Sequence, residues 1–252
     1  MCYSFRMKEF LKKLKAGTEE LNYGRDVIAR IVRKHFPETD GEALRLLDLG
    51  LGLGGDVAGI REALAPREVK ANGLENYEPY VREAEKKGIK VVQVDIEREV
   101  FPFEDSSFDL VLANQVLEHT KEIFWIASES ARVLRPGGLL VVGVPNLASL
   151  HSRVMLLLGM QPSPIEVFGP HVRGFTKGGF RDFIEAGGYF KVNDVRGSNF
   201  YPFPAWVARP AARLFPSFAV GIFFACERTQ KDGRLVDILA ERFFETPFFR
   251  GD

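Results

Sequence analysis

Leu46-Leu47-Asp48-Leu49-Gly50-Leu51-Gly52-Leu53-Gly54-Gly55-Asp56 is the stretch that decides the fold. Its apolar start predicts a buried strand, and its four glycines predict a tight turn into a following helix. Glycine permits positive φ and lets a ligand approach the backbone closely. The stretch therefore predicts a strand, a ligand-binding loop and a helix rather than a turn without a ligand.

Two kinds of ligand fit this loop. Gly50, Gly52 and Gly55 have the G-x-G-x-x-G spacing of dinucleotide-binding loops, and an acid, Glu75, follows 20 residues later. On spacing alone, a nicotinamide- or flavin-dependent enzyme fits. Asp48 would repel a pyrophosphate at close range but would attract a ligand that carries ammonium and sulfonium charges. The carboxylate therefore favours S-adenosylmethionine.

Outward from the loop, short apolar strands alternate with helical segments. Strands are predicted at 44–49, 69–74, 90–94, 108–113, 138–144, 189–195 and 219–227, and helices at 57–64, 79–87, 123–134 and from Thr176 onward. Such alternation is typical of βαβ units and predicts an α/β fold, a doubly wound, mostly parallel seven-stranded sheet with helices on both faces. Ligands of these sheets bind at the carboxyl ends of the strands.

The remaining segments surround this sheet. Helices are predicted in residues 1–40, at 5–15 and about 27–32, before a cofactor-binding half in 41–145. A closing helix and two strands occupy 175–228. Two irregular stretches, 146–174 and 197–216, are expected to be insertions that form a cap over the ligand crevice. The whole of 1–252 is expected to be one domain.

The bulk composition excludes several classes of function. Basic and acidic residues both number 34, so no basic excess argues for a nucleic-acid partner. Cys2 and Cys226 provide neither a disulfide framework nor a zinc box and suit a reducing compartment. No signal peptide is evident, and the apolar runs are shorter than the ~20 residues that span a bilayer. A cytoplasmic protein is expected, without stable membrane insertion and with at most a weak peripheral contact.

The glycine loop and the motifs after it resemble class I, Rossmann-like methyltransferases. Asp48, Gly50, Gly52 and Gly54 are similar to the first motif of that family. Further likenesses follow in the expected order, in Phe108-Asp109-Leu110-Val111-Leu112-Ala113-Asn114, Gln115-Val116-Leu117-Glu118-His119 and Arg132-Val133-Leu134-Arg135-Pro136-Gly137-Gly138-Leu139-Leu140. The resemblance covers residues 44–145 and is nearest to the small-molecule branch that includes quinone-biosynthesis methyltransferases. It implies S-adenosylmethionine as the cofactor.

The resemblance also implies residue roles. Glu75 would accept hydrogen bonds from both ribose hydroxyls, while Asp95 would accept from the adenine amine and Ile96 would pack on the ring. Arg25 is the candidate partner of the methionine carboxylate. Leu51 departs from the small residue of many relatives, but its backbone would still line the loop. The residues assigned to the cofactor are Arg25, Asp48, Gly50, Leu51, Gly52, Gly54, Glu75, Asn76, Asp95, Ile96, Asn114 and Gln115.

The acceptor of the methyl group is the least determined part of the reading. A hydroxyl, amine or carbon acceptor must lose a proton, and His119 and His171 are the candidate catalytic residues for that step. The candidate substrate residues are His151, Phe200, Tyr201, Phe203 and Trp206. The aromatic stretch is either a packed lid or a channel for an apolar, lipid-linked acceptor. No metal is expected, because the carboxylates and histidines show no ligand spacing.

Two other functions stay open at this stage. A nicotinamide-dependent oxidoreductase would use the same glycine spacing, and a non-catalytic protein could bind S-adenosylmethionine as a structural or sensing ligand.

Overall fold

A computed structural model describes residues 24–37, 42–240 and 244–251, and the helix predicted at 5–15 lies outside these ranges. The described chain forms one seven-stranded sheet in the order β3-β2-β1-β4-β5-β7-β6. The strands are β1 (Leu44–Leu49), β2 (Val69–Leu74), β3 (Lys90–Val92), β4 (Phe108–Asn114), β5 (Leu134–Pro145), β6 (Phe190–Ser198) and β7 (Gly221–Arg228). All seven predicted strands are present, so the predicted α/β sheet is confirmed.

Helices cover both faces of this sheet. The α-helices are α1 (Arg25–His35), α2 (Gly55–Leu64), α3 (Glu78–Glu85), α4 (Ile123–Val133), α5 (Leu150–Leu157), α6 (Lys177–Ile184) and α7 (Ala205–Leu214). A short 3₁₀ turn, Leu117–His119, follows β4, and another, Ser163–Ile165, follows α5. Thr176 caps α6 as predicted, since its hydroxyl accepts a hydrogen bond from the backbone N–H of Gly179 at 3.1 Å.

The strand pairing determines where a ligand can bind. β1 pairs in parallel with β2 on one side and with β4 on the other, while β7 runs antiparallel to both β5 and β6. From β1 the chain builds outward through β2 and β3 and then returns to start the other half at β4. Strand order therefore reverses between β1 and β4, and the crevice at their carboxyl ends is the expected ligand site.

Strand residues alternate between two cores. In β4, Val111 and Ala113 belong to one buried cluster, whereas Leu110 and Leu112 belong to the other. Successive side chains of a strand point to opposite faces, so both faces of this sheet are apolar and both need a helical cover. α1 and α2 cover one face through residues such as Ile31 and Val57.

One segment differs from the sequence prediction. Residues 205–214, predicted as irregular because of their prolines, form helix α7 with Pro210 inside it. Alanine favours a helix strongly, and Ala208 and Ala212 are buried against Phe200, so packing outweighs the proline. The stretch 197–216, predicted to form part of a cap, thus contains a regular element as well as loops.

Asp109 binds two arginines at the end of the sheet opposite the glycine loop. Its carboxylate accepts hydrogen bonds from Nε and Nη2 of Arg45 at 3.1 and 2.9 Å and from Nε of Arg135 at 2.7 Å. Burial by itself raises the pKa of Asp109, but the hydrogen bonds from Arg45 and Arg135 outweigh it and lower the pKa to about 2. The folded state therefore binds this proton less tightly than the unfolded chain does.

We expect Asp109→Asn to lower the free energy of unfolding at pH 7 by about 2 kcal/mol, the order that a pKa depressed by nearly two units implies. Because the folded pKa is depressed, this stabilisation is complete above the unfolded pKa of about 4 and is lost as the pH falls toward 2. Urea unfolding at pH 7 and pH 3 measures it. Asp105→Asn, at an exposed carboxylate, is the control. If the difference in the free energy of unfolding between wild type and Asp109→Asn does not shrink as the pH falls, the lowered pKa of Asp109 is contradicted.

Candidate active site

The glycine loop between β1 and α2 has the conformation that its glycines permit. Gly50, Gly52 and Gly54 have φ angles of 63°, 53° and 71°, in the left-handed region. A Cβ at Gly50 would lie 2.8 Å from Val116, and one at Gly54 would lie 2.6 Å from Ile89. A Cβ at Gly52 would have no described atom within 4 Å. The loop is therefore open at Gly52, where a ligand can reach the backbone.

Asp48 lies in β1 directly below this loop. Its side chain is 2% exposed, and its Oδ2 is buried without a hydrogen-bond partner among the described residues. Burial, and then the charges of Asp56 and Glu75, raise the pKa of Asp48 well above its usual range. A buried carboxyl oxygen without a donor is costly, so this group is suited to a cationic donor supplied from outside the chain.

Glu75 follows β2 and reaches back to the same loop. Its Oε2 accepts a hydrogen bond from the backbone N–H of Gly52 at 2.8 Å, and its Oε1 accepts one from the N–H of Tyr77 at 2.9 Å. Each carboxylate oxygen has a second lone pair, so Glu75 can still accept from a ligand. Asn76, the next residue, is exposed. The structure thus brings Glu75 to the open point of the loop.

Asp56, which was not among the predicted site residues, connects three elements beside Asp48. Its carboxylate accepts hydrogen bonds from Nε of Arg25 at 3.2 Å and from Nδ2 of Asn114 at 3.0 Å. Burial raises the pKa of Asp56, while the contacts with Asn114 and Arg25 oppose that rise. Its position at the end of the glycine segment was the available signal, but nothing in the sequence shows these partners.

Of the other predicted cofactor residues, Asp95, Ile96 and Gln115 follow strands at the ligand edge of the sheet, whereas the side chain of Leu51 is buried. Asp95 and half-buried Ile96 follow β3 at the ligand edge, where Oδ1 of Asp95 accepts from the N–H of Glu97 at 2.9 Å. Gln115 directly follows β4 with a φ of 58°, and its N–H donates to the carbonyl of Gly143 at 2.8 Å. Leu51 is buried against Gly73, so its side chain packs in the core and only its backbone belongs to the loop.

These residues fit S-adenosylmethionine. Three carboxylates, Asp48, Asp56 and Glu75, surround an open glycine backbone, and the cofactor carries an ammonium group and a sulfonium that need negative surroundings. A dinucleotide would place its anionic pyrophosphate against the same acids. The unpartnered Asp48 oxygen and the space at Gly52 are what a cation-bearing ligand would fill.

A second group of polar side chains lies just beyond β4. Glu118, His119 and His171 each bring one ligand-type atom to within 4.8 Å of the others, and the two imidazole rings are 4.7 Å apart. Glu118 is 1% exposed, and neither of its carboxyl oxygens has a hydrogen-bond partner among the described residues. Burial raises the pKa of Glu118 to about 7. Burial, followed by the neighbouring His171, lowers the pKa of His119.

This group was only partly foreseen. His119 and His171 were both predicted, whereas Glu118 was not, although it directly precedes His119 in the sequence. The expectation that no residues approach a metal-ligand arrangement rested on sequence spacing. Spacing could not show that the loop before α6 returns to β4, where the N–H groups of Val172 and Arg173 donate to the Glu118 carbonyl.

The cap residues are divided between packing and exposure. Phe200 is buried in a small cluster with Ala208, Ala212 and Ala219, while the rings of His151 and Tyr201 meet edge to face at 5.5 Å. In contrast, Phe203 is 42% exposed and Trp206 is 79% exposed. Phe200 thus packs inside this small cluster, whereas Phe203 and Trp206 are exposed.

The comparisons with known proteins agree with this geometry. Residues 47–142 match the family model described as "Methyltransferase domain". The 27-O-demethylrifamycin SV methyltransferase of Amycolatopsis mediterranei (strain S699) is 38% identical over 120 residues, 43% of this chain and 42% of that protein. The ubiquinone biosynthesis O-methyltransferase of Methylocella silvestris is 29% identical over 149 residues, 55% of this chain and 56% of that protein. The chain spans about half the length of these two relatives.

A solved structure supports the fold over a longer range. An S-adenosylmethionine-dependent methyltransferase from Thermotoga maritima, described as a possible histamine N-methyltransferase, superposes with a TM-score of 0.58 at 17% identity. The superposition covers 89% of this chain and 96% of that one. At this identity it shows the fold alone.

Residues 47–142 therefore match a methyltransferase domain on a Rossmann-like sheet, and this family and its relatives imply S-adenosylmethionine as the cofactor. Within that class, the chain is similar in sequence to methyltransferases named for small-molecule substrates, such as the rifamycin and ubiquinone relatives. The predictions of class, fold and cofactor are confirmed. The comparisons favour them over the nicotinamide oxidoreductase.

Proposed function

We propose that this protein transfers the methyl group of S-adenosylmethionine to an apolar small-molecule acceptor. The observation that carries the proposal is the buried, unpartnered Asp48 carboxyl beside the open backbone of Gly52. The cofactor's ammonium group would donate to Asp48, and its ribose hydroxyls would donate to Glu75. Asp95 and Ile96 would hold the adenine, and Arg25 would pair with the methionine carboxylate.

The chain's contribution to the chemistry is mainly positioning. The cofactor supplies a methyl group already activated by the sulfonium, and in-line transfer needs an acceptor atom held on the far side of that methyl with water excluded. Orientation of this kind is worth roughly 7–11 kcal/mol in model reactions. His119 and His171 stand beyond β4, at the edge where the loop opens, and are the proposed residues that take the acceptor's proton.

The nature of the acceptor is proposed from the cap. Segments 146–174 and 197–216 carry four arginines and one glutamate, and exposed apolar side chains such as Leu157, Phe168 and Trp206 stand among them. An outward apolar face with a basic excess suits an acceptor delivered from an apolar phase, with weak peripheral contact to an anionic membrane surface. No helix in the described ranges combines the length and apolar character that crossing a bilayer requires.

The organisation of the chain is part of the same proposal. Residues 41–145 would bind the cofactor, 146–174 and 197–216 would form the cap, and 175–228 would close the sheet, all as one catalytic unit. The reactions named for the rifamycin and ubiquinone relatives support a small-molecule acceptor rather than a macromolecule. Cys226 is a buried free thiol, which is compatible with a cytoplasmic location.

A binding and turnover experiment tests the proposed function. Thermal unfolding is measured with S-adenosylmethionine, S-adenosylhomocysteine and NAD, and only the first two are expected to stabilise the protein. Turnover is then screened against apolar and polar hydroxyl acceptors, with release of S-adenosylhomocysteine as the readout. Stabilisation by NAD alone would contradict the proposal. Cofactor binding without turnover on any acceptor would favour a non-catalytic binding protein.

The role of the exposed cap aromatics gives a separate prediction. If Phe203 and Trp206 contact the acceptor, Phe203→Ala and Trp206→Ala should raise its KM about tenfold, with cofactor affinity changed less than twofold. Each loses the burial of one aromatic side chain against the acceptor, roughly 1.5 kcal/mol or more. Val100→Ala, at an exposed apolar residue after β3, is the control. Kinetically silent Phe203 and Trp206 variants would leave the aromatic stretch as a packed lid.

A further inference from the structure

The group formed by Glu118, His119 and His171 has the composition of a metal site. Two imidazoles and one carboxylate converge, with one ligand-type atom from each within 4.8 Å of the others. Among the described residues, this is the one cluster of three such side chains. Two histidines and a carboxylate that leave coordination positions open are a ligand set for divalent first-row metals such as Zn²⁺ and Fe²⁺.

Both imidazoles are held by the backbone on their Nδ1 side. Nδ1 of His171 lies 2.8 Å from the carbonyl oxygen of Pro164, and Nδ1 of His119 lies 3.3 Å from that of Pro170. A carbonyl only accepts, so these contacts place the ring proton on Nδ1 and leave the lone pair on Nε2. Ligand histidines in metal sites are oriented by such contacts. The ring protons are therefore directed away from the atoms that would bind a metal.

Glu118 supplies a second, independent observation. Its side chain is 1% exposed, and both of its carboxyl oxygens are buried without a hydrogen-bond partner among the described residues. Its main-chain carbonyl accepts hydrogen bonds from the N–H groups of Val172 and Arg173 at 2.9 and 3.2 Å. The backbone thus fixes the His171 segment beside Glu118, while no described residue donates a hydrogen bond to the carboxyl itself. A cation is what such a group lacks.

We propose that Glu118, His119 and His171 bind one divalent transition-metal ion, for which Zn²⁺ is the probe. The mixed nitrogen and oxygen ligands favour such an ion over Mg²⁺, which prefers oxygen ligands and keeps its water. His119 is exposed, so solvent reaches this group from the side of that histidine. The role of the ion rests on the proposed methyl transfer: with the ion bound, His119 and His171 would be its ligands rather than free bases, and the ion would lower the acceptor's affinity for a proton that passes to water.

Calorimetric titration of the chelator-treated full chain with Zn²⁺ tests the site. We expect one ion per chain in wild type, and at least tenfold weaker binding in Glu118→Gln and in His171→Asn. His35→Asn is the matched control, because that histidine lies on α1, outside the cluster, and its Nδ1 hydrogen-bonds the carbonyl of Ile31 in the same helix. Its Zn²⁺ affinity should equal that of wild type. Thermal unfolding of each variant without metal establishes that it is folded.

Several outcomes would overturn the site. The site is refuted if wild type does not bind one Zn²⁺ per chain. It is also refuted if Glu118→Gln and His171→Asn bind Zn²⁺ as tightly as wild type does. Mg²⁺ that displaces Zn²⁺ at equal concentration would contradict the nitrogen ligands. S-adenosylhomocysteine is titrated into the same samples. Binding of that ligand without Zn²⁺ binding would refute the metal site and leave the proposed function standing, and the reverse would refute the proposed function alone.

Discussion

Asp48→Asn is expected to bind S-adenosylmethionine and S-adenosylhomocysteine more weakly while making the ligand-free protein more stable. Both ligands carry the ammonium group that would donate to the Asp48 carboxyl. Loss of one hydrogen bond to a charged group costs about 1.5–3 kcal/mol, which corresponds to a roughly 10- to 150-fold lower affinity. An isosteric amide keeps the shape of the site, so the loss would be electrostatic.

The gain in stability follows from the unsatisfied state of the same group. Burial raises the pKa of Asp48 well above its usual range, so ionising it in the folded chain costs free energy. The folded pKa is raised, and the stabilising effect of the bound proton is therefore complete below the unfolded pKa of about 4 and is lost as the pH rises. Asp48→Asn should match wild type near pH 4 and should be more stable by about 1–3 kcal/mol at pH 7.

Two measurements on the same samples test whether Asp48→Asn weakens ligand binding while it stabilises the ligand-free protein. Calorimetry gives the affinity for S-adenosylhomocysteine, and thermal unfolding between pH 4 and pH 8 gives stability, with about 2–4 °C expected for each kcal/mol at this chain length. Asp105→Asn, at a carboxylate whose side chain is 77% exposed, should change neither property. A folded Asp48→Asn protein with unchanged affinity would remove Asp48 from the cofactor site.

The glycine loop could be predicted because its determinants are local. Residue type and spacing along the chain indicate the strand that precedes the loop and the left-handed backbone angles of Gly50, Gly52 and Gly54. They also indicate that an acid, Glu75, follows β2. The βαβ pattern likewise predicts a mostly parallel sheet. For this reason the fold class and the side of the sheet that binds the ligand were both available from the sequence.

The site beyond β4 could not be predicted in the same way. Whether Glu118 is solvated or buried depends on the loop that carries His171, which follows β5 and α5 in the chain and returns to cover it. Asp56 likewise acquires its role from Arg25 and Asn114, which belong to other elements. Helix α7 was not predicted, because the density of prolines and aromatics around it indicated an irregular stretch. Each of these features depends on tertiary contacts.

Glu75→Gln is expected to reduce the protein's preference for ribose over 2′-deoxyribose. In the structure both Glu75 oxygens accept backbone N–H groups, one from Gly52 and one from Tyr77, and the remaining lone pairs point to the open side of the loop in the proposed complex. Two ribose hydroxyls would then each meet a charged acceptor. Removal of the 2′-hydroxyl should lower wild-type affinity by about 10-fold or more, the equivalent of roughly 1.5 kcal/mol.

In Glu75→Gln the amide nitrogen can only donate, so one side of the former carboxylate no longer accepts from the ribose or from the backbone. Overall affinity for S-adenosylhomocysteine should therefore fall by about tenfold or more, and the ratio between ribose and 2′-deoxyribose forms should fall to roughly threefold or less. Glu78→Gln, at the exposed acid that pairs with Arg82 at the start of α3, is the matched control and should keep the wild-type ratio. Calorimetry with the two nucleoside forms measures both quantities. Equal wild-type affinity for the two forms would show that Glu75 orders the loop through Gly52 without contacting the ribose.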